Sequence, residues 1–331
     1  MSFDIDNITA APDPNGPIRR VLIIGVSGYL GAALATGLRD EFEVFGTYNN
    51  HPVRIDGVTS FKLNCIHGGE ILDSLNRYKP EAIIYCGGFS SHQLCNENPG
   101  LAESLHFKAP TVFFKILPMV LRFIYFSTDE VMGLASGTAP YSEDVAAAPT
   151  SILGKTRRQG ESACLGSRFT AVFRLGEVFG EPFGWNTSQS AAHGGNPNEG
   201  FQHLHWLDEM QSQLARGRSV ALSKNVVKSY LYVGDMIRAV KLYLRKAPID
   251  PVLYNLAGRT PISQLDFGRL VCEKLGYNPA LVKSVVKDLS TDLSLSPQKF
   301  ETDYSFEFQS IEDSVDEFAE RLRTGHTKSW A

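Results

Sequence analysis

Between residues 19 and 175 the chain alternates short, unbroken apolar runs with longer stretches in which apolar positions recur every three or four residues. "RVLIIG" from Arg20, "FEVFGTY" from Phe42, "EAIIYCG" from Glu81, "RFIYFST" from Arg122 and "FTAVFRL" from Phe169 read as short buried strands. Between them, residues 29–38 place Leu30, Ala33, Leu34 and Leu38 on one helical face, and "GEILDSLNRY" has the pattern of a short amphipathic helix. A helix over 100–117 would carry Leu101, Leu105, Val112 and Ile116, and another covers 154–166. Repeated strand–helix–strand units imply an α/β fold, a Rossmann-type parallel sheet covered by helices on both faces.

After residue 180 the pattern changes. "WNTSQSAAHGGNPNEG" is a long loop rich in Gly, Asn and Ser, and compact domains seldom carry such loops without a use for them. Helical segments follow near 204–216, 235–246, 263–275 and 311–323, with "SQLD" resembling a capping box at Ser263. The expected organisation is a flexible tail over 1–17, a sheet domain over 18–180 and a smaller C-terminal lobe over 181–331. Residues 226–250 are expected to return to the sheet domain. The lobe should cover the carboxyl edge of the sheet, where open α/β folds bind ligands.

Composition narrows the class. Of 331 residues 43% are hydrophobic, enough for a full core, and 32 basic against 36 acidic residues give a net charge of −4 without a basic block. That balance offers no attraction for nucleic acid or a membrane surface. The five cysteines form no C-x-x-C pair and fit a reducing, cytoplasmic setting. "RRVLIIGVSGYLGAALATGL" has the outline of an export signal, but an export segment does not require three evenly spaced glycines.

Those glycines are the strongest chemical signal. "GVSGYLG" sets Gly25, Gly28 and Gly31 between the first strand and the first helix. The first allows a tight turn, the second lets a pyrophosphate approach the backbone, and the third lets helix and strand pack closely. The helix amino terminus adds free N–H groups and a positive dipole end. The cofactor is therefore expected to be NADP or NAD. No carboxylate ends the second strand to hold a ribose 2′-hydroxyl, since "GTYNNHPVR" reaches Asp56 without one. His51 or Arg54 could instead meet a 2′-phosphate, which tilts the choice to NADP.

With these motifs the chain resembles the extended short-chain dehydrogenase/reductases, and within them the group of dTDP-4-dehydrorhamnose reductases and methionine adenosyltransferase beta subunits. The resemblance runs from about residue 19 to 323 through "GVSGYLG", "KLNC", "IIYCGG", "FSTDEV", "PTSILGKTRRQGE", "FRLGEVFG", "SYLYVGDM" and "YNLAG". It implies cofactor contacts at Gly25, Gly28, Tyr29, Leu30, Gly31, Asn64, Cys86, Gly87, Gly88 and Arg157. Asn64 stands where the family has an acidic adenine contact.

The family's hydride chemistry uses a Ser/Thr, a Tyr and a Lys. Thr128 matches the first, but Leu153 stands at the tyrosine and Arg157 at the lysine, while His106 replaces a structural asparagine. Sliding the register to use Lys155 would make Ser151 the acid and turn side chains about 200° around the helix. None of the twelve tyrosines is followed four residues later by lysine. Losing a general acid–base commonly costs about 10²–10⁴ in rate, so the family's route to ketone reduction is not expected.

"STDEVMG" at 127–133 is instead similar to the S-T-D-E-V-Y-G of dTDP-glucose 4,6-dehydratases. That likeness implies Asp129 as acid for a departing hydroxyl and Glu130 as base beside a ketone. The plainer alternative is a strand end with one inward and one solvated carboxylate. His193, His203, His205 and Asp208 have the residue types of a zinc site but irregular spacing, and no metal is expected.

Three functions remain open. One is an atypical homologue that binds NAD(P) and a nucleotide-activated sugar, with dehydratase- or epimerase-type chemistry through Asp129 and Glu130. Another is a silent regulatory subunit. The third is a reductase in which Thr128 and water replace the tyrosine. The expected partners are a small-molecule nucleotide sugar and either a second copy of the chain or a partner enzyme.

Overall fold

The computed structural model describes residues 16–116, 122–181, 206–246 and 250–324. Strands β1 (Arg20–Ile24), β2 (Glu43–Tyr48), β3 (Thr59–Lys62), β4 (Ala82–Tyr85), β5 (Arg122–Thr128) and β6 (Thr170–Leu175) form six strands of one sheet. The chain continues through β7 (Glu177–Phe179), β8 (Val220–Ser223), β9 (Val226–Tyr232) and β10 (Val252–Leu256). It ends its strands with β11 (Pro261–Ser263), β12 (Val282–Val285) and β13 (Thr291–Asp292). The main sheet has the order β10-β6-β5-β4-β1-β2-β3, and every pair in it is parallel. β4 and β6 are buried along their whole length, which is why their sequences read as continuous apolar runs rather than alternating ones. The direction of winding reverses between β1 and β4, and a reversal of this kind opens a crevice at the carboxyl ends of the two strands.

Helix α1 (Tyr29–Leu38) starts within five residues of β1 and lies hard against it. A Cβ on Gly31 would come within 2.2 Å of the Gly25 carbonyl oxygen, so only glycine permits this approach. On its far side Gly37 packs against Ile237 of the helix Val233–Lys246. That helix thus lies on the sheet domain, and β10 behind it extends the sheet beside β6. Helix α2 (Gly68–Tyr78) buries Ile71 and Leu75 and stops at Lys79 in the left-handed region.

The expected single helix over 100–117 is instead broken. Helix α3 (His92–Glu97) is followed by α4 (Pro99–Glu103), a π-turn over Ser104–Lys108 and α5 (Ala109–Ile116). Pro110 has no N–H to donate to the carbonyl four residues back, on His106. That oxygen accepts from the Tyr125 hydroxyl at 2.8 Å, and the Leu105 carbonyl accepts from Tyr85 at 2.6 Å. The extra residue in the turn rotates the buried face. Ala102, His106, Ala109, Phe113 and Ile116 point inward, whereas Leu101 is exposed.

Helix α6 (Ile152–Leu165) is capped by Ser151, whose hydroxyl accepts from the Gly154 N–H at 3.0 Å. Gly160 lets it close on the π-turn, where a Cβ would meet the His106 carbonyl at 2.3 Å. The second sheet is centred on β9, which pairs in parallel with β7 and β13 and antiparallel with β11. Its tyrosines are core residues: Tyr230 and Tyr232 are buried, and Tyr230 stacks on Phe267 at 3.8 Å between ring centres. In the helix Gln264–Lys274 the Ser263 hydroxyl caps the Asp266 N–H as its sequence suggested. Among the described residues no helix is long and apolar enough to cross a membrane.

Candidate active site

Two adjoining cavities open at the carboxyl end of the sheet. The first, about 540 Å³, runs along the crevice between β1 and β4. Gly25, Gly28 and Tyr29 line one side, and Cys86, Gly87 and Gly88 line the other. Gly25 sits at φ +88° and Gly88 at φ +109°, conformations that side chains other than glycine rarely adopt. The N–H groups of Tyr29, Leu30 and Gly31 form the first turn of α1 and have no partner within the helix. Nothing larger than hydrogen fills the turn at Gly28, whose added Cβ would find its nearest neighbour 3.5 Å away. These are the features a pyrophosphate requires, and the residues fit a dinucleotide.

At the far end lie Tyr48, Asn49, Asn50, His51 and Asn64, without a carboxylate. His51 lines the cavity and Arg54 does not. Asn64 Oδ1 accepts from its neighbour Ile66 at 3.3 Å, and its backbone N–H is held by Glu70 at 2.9 Å.

The second cavity, about 390 Å³, shares Gly28, Tyr29, Cys86 and Gly88 with the first and ends on Thr128, Asp129 and Glu130. Thr128 terminates β5 and caps a short 3-10 turn over Asp129–Val131, accepting from the Glu130 N–H at 3.3 Å. Its hydroxyl donates to Asp129 Oδ1 at 3.0 Å. Close packing of α6 holds this turn, since a Cβ on Gly154 would lie 2.4 Å from the Glu130 carbonyl oxygen.

Lys228, on β9, was not anticipated. Its Nζ lies 2.9 Å from Glu177 Oε2, 3.1 Å from Asp129 Oδ2 and 3.5 Å from Glu130 Oε1. Oδ2 of Asp129 is the nearer of that carboxylate's oxygens, yet the ammonium's hydrogen bond goes to Oδ1, at 3.4 Å. From the opposite side His92 Nε2 reaches Glu130 Oε1 at 3.2 Å. The sequence carried a faint sign of Lys228, a charge inside the otherwise uncharged run "VVKSYLYV". Glu177 and His92 gave none, since only the fold brings them to β5.

The carboxylates are in different electrostatic states. Burial pushes Asp129 up to about 6; the Lys228 charge opposes this, and Glu177 and Glu130 add to it. Burial also works to raise Glu130, but the His92 hydrogen bond and the Lys228 charge outweigh it and hold this carboxyl below its ordinary value. Burial works to lower Lys228, yet Asp129, Glu177 and Glu130 together raise it well above the usual lysine value, so it stays an ammonium. Asp129 therefore keeps its proton to a higher pH than Glu130 beside it, the unequal pairing of carboxylates that acid–base catalysis uses.

Leu153 and Arg157 also line the second cavity. Leu153 is packed against Cys95, Ala102 and Phe89. Arg157 directs its guanidinium to backbone carbonyls, Phe126 at 3.1 Å, Phe89 at 3.2 Å and Gly87 at 3.4 Å. It therefore ties the loop after β4 to β5. His106 is buried beside it, with Nδ1 2.7 Å from the Thr156 hydroxyl and Nε2 3.0 Å from the Phe89 carbonyl. Burial, reinforced by the Arg157 charge, pushes this imidazole down to about 2, so it remains neutral and structural. Asp208 lies in the helix Trp206–Ala215, and the three histidines considered with it lie outside the described residues.

The chain matches the family described as RmlD substrate binding domain over residues 19–323. It is 24% identical over 268 residues to the probable low-salt glycan biosynthesis reductase Agl14 of Haloferax volcanii, covering 80% of this chain and 83% of that protein. It is 30% identical over 174 residues to methionine adenosyltransferase 2 subunit beta of Xenopus laevis, a match spanning 51% of this chain and only 50% of that protein. Among solved structures, the fold superposes on dTDP-glucose 4,6-dehydratase of Bacillus anthracis in complex with NAD. There the TM-score is 0.74 at 14% identity, over 94% of this chain and 98% of that one. It superposes equally on dTDP-4-dehydrorhamnose reductase of the same organism in complex with NADP, with TM-score 0.73 at 16% identity over 91% and 98%.

Proposed function

The chain belongs to the RmlD substrate binding domain family, an RmlD-like group of the extended short-chain dehydrogenase/reductases, and on that premise we propose that it binds NAD(P) and a nucleotide-activated sugar that already bears a ketone. On this reading it promotes elimination or epimerisation beside that ketone through Asp129 and Glu130. The observation that carries the reading is the shared ammonium. Lys228 contacts both carboxylates in a cavity that runs into the dinucleotide cleft, while leucine holds the family's tyrosine position.

The residues take distinct parts. The glycine turn and the first turn of α1 hold the diphosphate, and the carboxylate-free end near His51 suits a 2′-phosphate, which favours NADP. A bound nicotinamide would supply hydride-transfer capacity, and the residues of the second cavity hold the sugar. Glu130 takes the proton from the carbon beside the ketone, and the electron pair moves onto the ketone oxygen as an enolate. Asp129 gives its proton to a departing hydroxyl, or returns one to the carbon in an epimerisation. Lys228 keeps both carboxylates in place and offsets the negative charge that accumulates around the enolate.

A reductase is the second reading. It is favoured by the similarity to a probable reductase over 80% of this chain and by the place of Thr128 on the wall of the second cavity. The test is incubation with NADPH and 4-keto sugar nucleotides. Product without loss of NADPH absorbance supports elimination or epimerisation, and stoichiometric loss supports reduction. Turnover that survives Glu130→Gln removes Glu130 as base. Absence of reaction with every such sugar, together with retained dinucleotide binding, points to a regulatory subunit.

A further inference from the structure

A buried base that has accepted a proton must release it before it can act again. Two side chains among the described residues reach the Glu130 carboxylate, Lys228 at 3.5 Å and His92 at 3.2 Å. Lys228 is an ammonium held by three carboxylates and has no lone pair with which to accept a proton. His92 has one. It opens helix α3, whose start is fixed by the Ser91 hydroxyl accepting from Leu94 N–H at 3.3 Å, and it turns Nε2 toward Glu130. Side-chain exposure rises along the line from 3% at Asp129 through 18% at Glu130 to 52% at His92. The imidazole therefore bridges the cavity floor and solvent.

Other charges near the pair are accounted for. Glu130, Asp129 and Lys228 act on His92 directly. On α6, which packs beside α3, Arg157 is bound to carbonyls, Arg158 is paired with Glu161, and Lys155 is exposed. On α4, Glu103 is paired with Lys108.

We propose that His92 is the proton relay between Glu130 and bulk water, a positioning residue that acts through that carboxylate. The proposal rests on the acid–base reading above. The substrate C–H bond breaks, its electron pair forms the enolate, and the proton forms an O–H bond on Glu130. In the resting pair His92 Nε2–H donates to the Glu130 carboxylate. Once Glu130 is protonated, the imidazole shifts its proton to Nδ1 by exchange with water. The Glu130 O–H then breaks as an N–H forms on Nε2, and the imidazolium releases the Nδ1 proton to water. Nothing is oxidised or reduced, and Glu130 returns to its carboxylate.

The test uses the full chain with NADP⁺ in D₂O and a dTDP-linked 4-keto hexose as probe. Wild type should incorporate deuterium at the carbon beside the ketone. His92→Ala and His92→Gln should each slow that incorporation at least tenfold, and added imidazole should restore it in His92→Ala. Equal incorporation in wild type and both variants overturns the relay and leaves Glu130 as base. No incorporation in wild type with any 4-keto sugar nucleotide overturns the acid–base reading and the relay with it. A second measurement needs no turnover. The His92 imidazole, raised by its hydrogen bond to Glu130 against the opposing pull of burial, should titrate lower in Glu130→Gln by NMR. An unchanged titration there means that the pair does not exist and ends the proposal.

Discussion

Lys228 and Asp129 stand 99 residues apart in the chain, yet their ammonium and carboxylate meet at 3.1 Å across the seam between the two sheets. One side chain is 15% exposed and the other 3%, so the pair is largely withdrawn from water. Removing one partner of a buried pair strands the other charge, here the Asp129 carboxylate. Lys228→Met should lower unfolding free energy by about 3–5 kcal/mol at pH 7. Denaturant unfolding measures this directly, and a change under about 1 kcal/mol would mean that the cluster is solvated.

Asp129 gives the cluster a pH signature. Its carboxyl titrates at about 6 in the folded chain against 3.8 for the free group. Between those values the folded state holds a proton that the unfolded state has lost, so stability falls as pH rises through that window. Above the folded value both states are ionised and the contribution is level. Asp129→Asn should remove this fall, which is checked by comparing unfolding midpoints across that pH range. The same decline in the variant would assign it to another group.

The second and third glycines of the turn separate folding from binding. Gly31→Ala drives a Cβ to 2.2 Å from a backbone oxygen and should cost about 3 kcal/mol or more. Gly28→Ala meets only ordinary contact at 3.5 Å in an extended backbone, so it should cost less than about 1 kcal/mol. Its methyl nevertheless projects where a pyrophosphate must approach. Dinucleotide affinity should therefore drop at least tenfold, about 1.4 kcal/mol, when titrated by fluorescence or calorimetry. Unchanged affinity in a folded Gly28→Ala protein would move the dinucleotide elsewhere.

How much of this was legible in the sequence depended on distance along the chain. β1, β5 and β6 announced themselves because burial on both faces leaves no polar alternation to misread. α1 was legible to its last residue, since the glycine turn sets its start. The break at Ser104–Lys108 was not, because the pattern of Leu101 and Leu105 continues plausibly through it, and only Pro110 hinted at a free carbonyl. Asp129 and Glu130 were visible as a pair, but their unequal proton affinities were not. That inequality comes first from the burial of Asp129, with Glu177 adding to it, and from the His92 hydrogen bond that lowers Glu130; burial and both partners depend on elements that local patterning cannot place beside β5.

Arg157, set where the sequence resemblance implies a lysine, lacks a lysine's freedom. Three backbone carbonyls share its planar guanidinium, and a lysine ammonium cannot reach all of them at once. Arg157→Lys should cost about 2–3 kcal/mol, the scale of a lost charge-assisted hydrogen bond, and loosen the Gly87–Phe89 loop that walls the dinucleotide cleft. A destabilisation under about 0.5 kcal/mol would show that the carbonyls find other partners.

Tyr29 offers the opposite case, a group that costs stability and gains a use. The residue lines both cavities, and its hydroxyl is buried beside Gly180 with no hydrogen-bond partner among the described residues. Burial, with Glu181 and Asp208 adding to it, raises the phenol well above its ordinary value, so the group stays protonated and can only donate or accept as a neutral hydroxyl. An unsatisfied buried hydroxyl carries a penalty of about 1–3 kcal/mol, so Tyr29→Phe should make the ligand-free chain more stable by up to that amount. If a ligand supplies the missing partner, the same variant should bind that ligand more weakly. Unfolding measured with and without saturating NADP⁺, and again with a sugar nucleotide, identifies which one it is: the stabilisation conferred by that ligand shrinks in Tyr29→Phe while the other is unchanged. A variant that is destabilised without ligand would mean that the hydroxyl is already satisfied in the free protein.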